Sequence, residues 1–262
     1  MTFVMKRLRR DLLINKQVGK YLLYAIGEII VVTLGVYLAF QLNMNARDAA
    51  DARTEMSYLQ GIVVDIDQDI EELTNLLEFD MAQLSAFTTI QKAFTDEAVR
   101  NDPALPMSIG TANIFTNFNG HSLFFEDMKS SGKITLISSD ALRLSILKYH
   151  NQSRAETKHQ VEQLRRRHAT LASDAFETNV DLNSILESNF FMGDWQAEID
   201  PLDLSFFDKD IKSQEVQTFA NRLSLMKGLV MFRKLGNEAL LKEAQILKSD
   251  AEAYLKSKAD HP

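Results

Sequence analysis

The longest apolar run in the chain extends from Tyr21 to Leu42 and contains one formal charge, at Glu28. A helix of that length, rising about 1.5 Å per residue, is just long enough to cross the ~30 Å hydrocarbon core of a bilayer. The pattern therefore predicts one transmembrane helix over residues 21–42. An Ala-Asp-Ala triplet at residues 50–52 is a conceivable signal-peptidase site. The apolar run is longer than that of a signal peptide and ends well before this triplet, which favours an uncleaved anchor.

After the span, apolar residues recur at every third or fourth position and predict long helices over about 46–98 and 213–257. In the first of these, the heptad positions a are Met56, Val63, Ile70, Leu77, Leu84 and Gln91, and positions d are Leu59, Ile66, Leu73, Asp80, Phe87 and Phe94. Such spacing is typical of a helical bundle or coiled coil. In the last helix, Arg233 and Asn237 interrupt an otherwise apolar stripe.

Between these two helices the pattern is less regular. Residues 100–121 contain two Pro and two Gly and predict a loop, with a short extended piece over 112–118. A short helix over 122–130, a break at Ser131-Gly132 and an N-cap within 138–140 lead into a third long helix, over about 140–178. Residues 181–212 are irregular and aromatic, and we expect them to cap the open end of the bundle or to dock a partner.

Two charges stand in the apolar seams, at Asp80 and Arg233. If the last helix runs antiparallel to the first, pairing residue 56 with 254, Asp80 comes within one turn of Arg233. Burying either charge alone would cost several kcal/mol, so we predict an Asp80–Arg233 ion pair. The expected fold is all-α: one N-terminal transmembrane helix followed by an elongated antiparallel helical bundle with long heptad-patterned helices.

Charge and composition set the orientation. Residues 1–20 carry six basic residues and one acidic residue, whereas the rest of the chain carries 23 basic and 35 acidic residues. Basic residues beside a first span keep that end in the cytoplasm. We therefore expect a cytoplasmic basic amphipathic tail over 1–20 and a periplasmic domain over 43–262, anchored in the cell inner membrane. The acidic domain is poorly suited to nucleic acid. The lack of cysteine excludes disulfides and thiolate metal sites.

Acidic residues dominate the first long helix, where Asp65, Asp69 and Glu72 share one face and could hold a cation weakly. A calcium loop is excluded because Ile70 and Leu76 stand where that loop needs Gly and Glu. We expect a solvated face or a basic partner, and the helix over 140–178 is basic enough to lie beside it. Its histidines, at positions 150, 159 and 168, alternate between opposite sides, which argues against a shared metal site.

Glu28 shares one face of the transmembrane helix with Gly35 and Ala39. Small residues let helices approach closely, and intramembrane carboxyl groups usually face protein or water. This face predicts a helix–helix contact, with a second copy or with a larger membrane partner. The alternatives are a protonated carboxyl group tolerated near the end of the span and a proton relay.

The sequences KYLLYAIGEII and VTLGVYLAFQLN closely resemble the amino-terminal anchor of a Bacteroidota family of membrane proteins, family 6090 of the domains of unknown function. A weaker resemblance covers EDMKSSGKITLISSDALRLSILKYHN, residues 126–151. The chain departs from the family just after the span, where NMNAR replaces an Asn-Asn-Trp-Asn-Glu-like run. The resemblance implies a basic tail, a single span and a helical periplasmic domain. It implies no catalytic or ligand residues.

No phosphate-binding loop, zinc-protease motif or nucleophile elbow is present in the sequence. We expect a non-enzymatic, membrane-anchored periplasmic protein that acts as an interaction or scaffold module in the cell envelope, without cofactor, metal or identified small-molecule ligand. The expected partners are the lipid bilayer and either a second copy or another envelope protein. The alternatives are a membrane-bound periplasmic ligand sensor and an accessory subunit of a transport or secretion complex.

Overall fold

The computed structural model describes residues 16–177 and 204–260. Within these ranges the chain is helical and contains no strand, which confirms the all-α expectation there. The helices are α1 (Lys16–Ala93), α2 (Glu97–Arg100), α3 (Leu105–Asn113), α4 (Leu123–Ser130), α5 (Asp140–Lys148), α6 (Arg154–Ala172) and α7 (Gln214–Asp260). Most of the predicted basic tail, and residues 181–203 of the predicted aromatic segment, lie outside the described residues.

Internal contacts divide the chain into two units, Met1–Met56 and Ser57–Pro262. In the first unit, the described residues form the start of α1. Their large apolar side chains from Tyr21 to Leu42 are exposed. This helix is long and apolar enough to cross a membrane, as the sequence predicts.

The boundaries of α1 differ from the predicted 46–98 at both ends. The helix begins at Lys16 and continues from the apolar run into the heptad region, because residues 43–54 contain no Pro or Gly. It ends at Ala93, since Asp96 starts a new helix. The Asp96 side chain accepts hydrogen bonds from the backbone N–H groups of Ala98 and Val99, which is the role of an N-cap.

The predicted loop over 100–121 is wrong in its first half, because α3 forms there. Pro106 lies in the first turn of α3, where a missing N–H costs no helical hydrogen bond. The helix also buries Leu105, Ile109 and Ala112. Residues 114–122 have no regular secondary structure. The break after α4 is as predicted, with Gly132 at a φ of +71°.

The predicted helix over 140–178 is interrupted by two π-helical turns, Tyr149–Ser153 and Ser173–Glu177. It begins at Asp140 as expected, where the Ser139 hydroxyl accepts a hydrogen bond from the N–H of Leu142. The first π turn places the consecutive residues Tyr149 and His150 both inside the protein. Such turns are frequent at functional positions of helices.

In the second unit, the contacts between α1 and α7 follow an antiparallel order: as the residue number in α1 increases, the number of its partner in α7 decreases. These contacts are Asp67–Lys248 at 2.6 Å, Thr88–Lys227 at 3.0 Å and Gln91–Ser224 at 3.3 Å. The predicted register, residue 56 against 254, would have set Asp67 against residue 243. The observed register is displaced from it by roughly one helical turn.

The buried stripe of α1 also differs from the a/d seam that the sequence indicates. The d positions from Leu59 to Phe94 are buried, but the a positions from Val63 to Gln91 are only half-buried. The residues just before each a position are buried instead: Ile62, Asp69, Leu76, Gln83 and Ile90. The buried stripe is therefore rotated by part of a helical turn from the predicted a/d seam. It includes polar side chains, which lie buried in the interior.

Two hydrophobic clusters fill the second unit. One is built around Phe87, Phe94, Phe207 and Phe219, and the other around Leu59, Ile66, Phe125 and Leu247. Along α1 and α7 the polar residues Asp80, Gln83, Arg233 and Asn237, all buried, separate the two clusters. The core is therefore two apolar regions with a polar layer between them.

Candidate functional site

Three carboxylates on one face of α1 hold the backbone of residues 119–125. They are spaced four and three residues apart, so their side chains project in the same direction. Asp65 accepts from the N–H groups of Phe124 (2.9 Å) and Phe125 (3.3 Å), Asp69 from that of His121 (2.5 Å), and Glu72 from those of Asn119 (2.8 Å) and Gly120 (3.0 Å). We call this arrangement the carboxylate row.

Asp65 takes the role that Ser122 would ordinarily have at the start of α4. Ser122 occupies the N-cap position, but its hydroxyl group makes no capping hydrogen bond. The free N–H groups of the first turn are satisfied by Asp65 from another helix instead. Because Asp65 caps this helix, the Ser122 hydroxyl group is not used as its N-cap.

Arg154 connects the carboxylate row to the first π turn. Its Nη1 donates to the backbone oxygen of His121 at 2.7 Å and to Nδ1 of His150 at 2.8 Å. Its Nε lies 3.5 Å from Oδ2 of Asp69, which also accepts from the Tyr149 hydroxyl group at 2.8 Å. One guanidinium thus joins α6, α1 and the irregular segment after α3.

Gly120 makes this arrangement possible. Its φ of +73° is in the left-handed region, which residues with a Cβ rarely adopt. A Cβ built on Gly120 would lie 2.1 Å from Nη2 of Arg154. Any other residue would displace the guanidinium from the site.

Burial shifts the pKa values of the groups around Arg154. It raises the pKa of Asp69, although Arg154 and the hydrogen bonds from His121 and Tyr149 oppose that shift. Burial and the Asp69 charge raise the pKa of Tyr149. Burial, with Arg154 and Lys129 nearby, lowers the pKa of His150 to about 3. At neutral pH the imidazole of His150 is therefore uncharged.

A cavity of about 190 Å³ lies beside this arrangement. Its walls come from the segment after α3, from α4, from the first π turn and from α6. The lining residues are Phe118, Asn119, Ser122, Glu126, His150, Arg154, Ala155 and Lys158. His150 is 9% exposed, and its ring stacks on Phe125 with the ring centroids 4.1 Å apart.

Asp69, Glu72 and His121 are close enough to consider as metal ligands, with their ligand atoms within 4.8 Å of one another. Both carboxylates already accept backbone N–H groups, and Asp69 also faces Arg154. The cluster is thus satisfied by the protein itself and carries no indication of a metal.

A second buried polar group surrounds Arg233. Its Nε donates to Oδ1 of Asp80 at 2.8 Å, so the structure places in contact the two residues whose pairing the sequence predicts. Its Nη2 donates to Oε1 of Gln83 at 2.7 Å, and its guanidinium lies 4.3 Å from the ring centroid of Phe115. Burial raises the pKa of Asp80 and lowers that of Arg233, and the contact between them opposes both shifts.

Gln83 and His168 extend this group to the end of α3. The Gln83 amide donates to three backbone oxygens, those of Thr111, Ala112 and Ile114. Nε2 of His168 lies 3.1 Å from the backbone oxygen of Ala112. The irregular segment after α3 is therefore held at both ends by buried side chains, the Arg233 group at one end and the carboxylate row at the other.

The acidic face of α1 is buried, whereas the sequence favours a solvated face or a basic partner. Asp65 is 2% exposed and Asp69 is fully buried. The expected basic partner helix supplies Arg154 to this face, but backbone N–H groups of residues 119–125 satisfy most of the carboxylate oxygens. Sequence patterns do not reveal backbone donors from a distant loop, so nothing in the sequence could have identified this arrangement.

The histidines of the central helical segment follow the predicted alternation. His150 and His168 are buried, and His159 between them is exposed.

The residues that we predict to form a helix contact in the membrane, Glu28, Gly35 and Ala39, are all exposed on α1. A Cβ added to Gly35 would meet no atom within 4 Å. The helix contact that we predict for this face stays a prediction.

One face of α7 is exposed and uncharged. From position 221 to 235 its exposed residues are Asn221, Ser224, Leu225, Gly228, Met231, Phe232 and Leu235. Leu225, Phe232 and Leu235 are 59%, 69% and 55% exposed. An exposed helix face normally carries charges, so we distinguish this stretch as the apolar face of α7.

Comparison with known proteins identifies no relative of this chain. No protein-family model, curated protein or solved structure matches this chain.

Proposed function

We propose that this protein is anchored in the cell inner membrane by residues 21–42, with residues 1–20 in the cytoplasm and residues 43–262 in the periplasm. Support comes from the large apolar side chains between Tyr21 and Leu42, which are exposed in the described part of the chain and suit a lipid environment. The basic residues before the span support the orientation. The resemblance of this segment to the anchor of domain-of-unknown-function family 6090 is consistent with the same arrangement.

In this proposal the periplasmic domain is an antiparallel helical bundle without enzymatic activity, and it acts as an interaction or scaffold module. The apolar face of α7 carries the proposal. Between positions 221 and 235 every exposed residue is uncharged, and three of them are large apolar residues more than half exposed. A surface of this kind favours association with another protein.

The occupant that fits this face best is a second copy of the chain. If two copies of α7 cross antiparallel with a two-fold axis near residue 230, each Phe232 faces Gly228 of the other copy, and each Leu225 faces Leu235. A Cβ on Gly228 would meet no atom within 4 Å, so space for the phenyl ring exists. Large side chains entering gaps on the facing helix are the usual basis of helix packing.

Charge supports the same pairing. The same two-fold axis sets Arg222 of each copy against Glu238 of the other. Within its own chain Arg222 contacts Asp174 and Glu238 pairs with Lys234, so the contact between copies would extend these ion pairs at both ends of the apolar face. Between these two positions the most exposed residues are uncharged. Lys227 and Lys234 are half-buried and contact Thr88 and Glu238 of their own chain. The apolar face is therefore complementary to itself in shape and in charge.

Cysteine cross-linking tests this association, because the chain has no cysteine of its own. We expect Met231→Cys, close to the two-fold axis, to give a disulfide-linked dimer when native membranes are oxidised. Ile246→Cys is the matched control: it is exposed on the same helix but far from the axis, and we expect no dimer. Adding Phe232→Glu to Met231→Cys should abolish the cross-link.

Two results would overturn the proposal. Equal cross-linking of the Met231→Cys and Ile246→Cys variants would indicate a parallel or non-specific contact. No cross-link from Met231→Cys, together with a stoichiometric membrane partner that is lost with Phe232→Glu, would assign the face to a different envelope protein.

A periplasmic ligand sensor is the second candidate function. The cavity beside His150 favours it, because a sensor needs a site that closes around a small molecule. In this alternative the signal would pass through the span by lateral contact in the membrane.

A further inference from the structure

Two buried side-chain oxygens beside the Asp80–Arg233 pair have no hydrogen-bond partner among the described residues. They are Oδ1 of Asn237 and Oγ1 of Thr116. Asn237 is 1% exposed, so solvent at the protein surface does not reach its amide group. Buried polar atoms are nearly always paired, either with the protein or with an ordered water molecule. Both oxygens therefore indicate a further partner inside the polar layer that separates the two hydrophobic clusters.

The Asp80 carboxylate in the same layer is bonded unevenly. Arg233 donates to its Oδ1 through both Nε and Nη2. Among the described residues, Oδ2 receives the Asn237 amide alone, at 3.5 Å, which is beyond the usual length of a hydrogen bond. A carboxylate oxygen can accept more than one hydrogen, so Oδ2 has capacity for another donor. Because Oδ1 of Asn237 is attached to the same carbon as that amide nitrogen, the two incompletely bonded acceptors are neighbours.

Thr116 brings a donor to this layer from the irregular segment after α3. Its backbone oxygen accepts from Nη1 of Arg233 at 3.4 Å, so the residue lies directly against the guanidinium. The ring of the preceding residue, Phe115, lies 4.3 Å from the same guanidinium and fixes this part of the segment. A threonine hydroxyl group can donate one hydrogen, and Oγ1 of Thr116 is buried here without an acceptor among the described residues.

We propose that one internal water molecule binds in the polar layer, donates its hydrogens to Oδ1 of Asn237 and Oδ2 of Asp80, and accepts from the Thr116 hydroxyl group. About three hydrogen bonds to otherwise unpaired groups are typical of a buried water. A water molecule donates and accepts at once, and this site presents acceptors from α1 and α7 together with a donor from the irregular segment. The water therefore links three parts of the second unit.

Oxygens of this kind also coordinate hard cations, but the charge of the layer argues against a cation. The guanidinium of Arg233 already supplies the positive charge that balances the Asp80 carboxylate. A second positive charge beside it would be repelled, whereas a neutral water would not. The site lies between α1 and α7 in the interior, so the inference does not depend on the membrane anchor or on self-association.

Water-edited solid-state NMR on the full chain in proteoliposomes tests the site, because it measures the magnetisation that passes from water to nearby carbons. The amide carbon of Asn237 reports on the site. The amide carbon of Gln83 is the internal control, because this side chain is also buried in the layer but both its nitrogen and its oxygen are paired with the protein. We expect transfer to Asn237 to build up severalfold faster than transfer to Gln83, since a bridging water contacts the amide directly.

A variant tests the third contact of the water. Thr116→Val keeps the shape of the side chain but removes the hydroxyl group, and we expect it to slow the transfer to Asn237 severalfold because the water loses its donor. Thr74→Val is the matched control. The Thr74 hydroxyl group donates to the backbone oxygen of Ile70 within α1, so its removal should leave the transfer unchanged.

The proposal is overturned if Asn237 and Gln83 show equally slow transfer in the wild type, a comparison that needs no variant. It is also overturned if transfer to Asn237 is as fast in Thr116→Val as in Thr74→Val, because the water would then not join the irregular segment to α7. An Asn237 signal that shifts as sodium chloride is added would assign the site to a cation and overturn it as well.

Discussion

Individual buried charges in this protein are stable only because their partners are fixed. Arg233 is 1% exposed and Asp80 is fully buried, so each would be strongly destabilising alone. Gln83 orients the arrangement by accepting from Arg233 while donating to the end of α3. The polar layer between the two apolar clusters thus fixes which residues of α1 and α7 meet.

We predict that Asp80→Leu destabilises the folded chain by about 3–5 kcal/mol, because it leaves the Arg233 charge buried without a counter-charge. The double variant Asp80→Leu/Arg233→Met should lose much less stability. Urea unfolding followed by circular dichroism gives both values. Asp67→Ala is the control, since the Asp67–Lys248 pair joins the same two helices but is exposed, and it should cost at most about 1 kcal/mol. Equal losses in the single and double variants would contradict the role of the pair.

His168 gives a residue-scale prediction for pH. Burial and the nearby Arg233 lower its pKa to about 4, from an ordinary value of 6.5. Above pH 6.5 the ring is neutral in both the folded and unfolded chain, so stability there is unaffected. As pH falls from 6.5 towards 4, only the unfolded chain gains the proton, and stability is lost. At pH 5 the loss is roughly 2 kcal/mol.

His168→Gln retains a side-chain donor for the Ala112 oxygen but cannot be protonated. We expect its free energy of unfolding to fall less between pH 7 and pH 5 than that of the wild type, by about that amount. His159→Gln removes an exposed histidine from the same helix and should leave the pH dependence as it is. Identical pH profiles for His168→Gln and wild type would show that the ring takes up its proton without cost.

At the scale of elements, α1 and α4 pack closely because Gly61 has no side chain. A Cβ on Gly61 would lie 2.2 Å from a ring carbon of Phe124. We predict that Gly61→Ala lowers stability by about 1 kcal/mol or more, although Ala is the better helix former. Gly236→Ala is the matched control, because a Cβ there meets no atom within 4 Å and should stabilise α7 by about 0.5–1 kcal/mol. Thermal unfolding of both variants measures these changes in stability. Stabilisation by Gly61→Ala would contradict the prediction and show that Phe124 moves away freely.

The elements that sequence predicts well here are those with a long periodic pattern or a local signal. The apolar span, α7 and the Ser139 cap of α5 depend on neighbours along the chain, and the structure has them where the pattern indicates. Helix α3 escapes prediction because Pro106 and Gly110 are loop formers in general, and only burial of Leu105 and Ile109 favours a helix. The burial of Asp65 and Asp69 is not predictable from the sequence either, because their partners are backbone N–H groups more than fifty residues away.

At the scale of the whole molecule, an anchor changes the energetics of self-association. Confinement to a membrane raises the effective concentration of the chains, so even a weak contact through α7 becomes populated. The span then has two separable roles in our proposal: it concentrates the chains, and its small-residue face adds a contact of its own. Substitution of the glycines in the span distinguishes these two roles.

Gly35→Leu should weaken association in the membrane by about tenfold, because a large side chain on the face shared with Glu28 and Ala39 keeps two helices apart. Gly27→Leu is the matched control. It makes the same change in the same span, about 100° around the helix from Glu28, where we expect no contact. Energy transfer between two fluorescently labelled populations in proteoliposomes, measured as protein is diluted into lipid, gives the association constant of each variant. If Gly35→Leu matches Gly27→Leu while Phe232→Glu still disrupts the dimer, the span only anchors the chain, and the contact belongs to α7 alone.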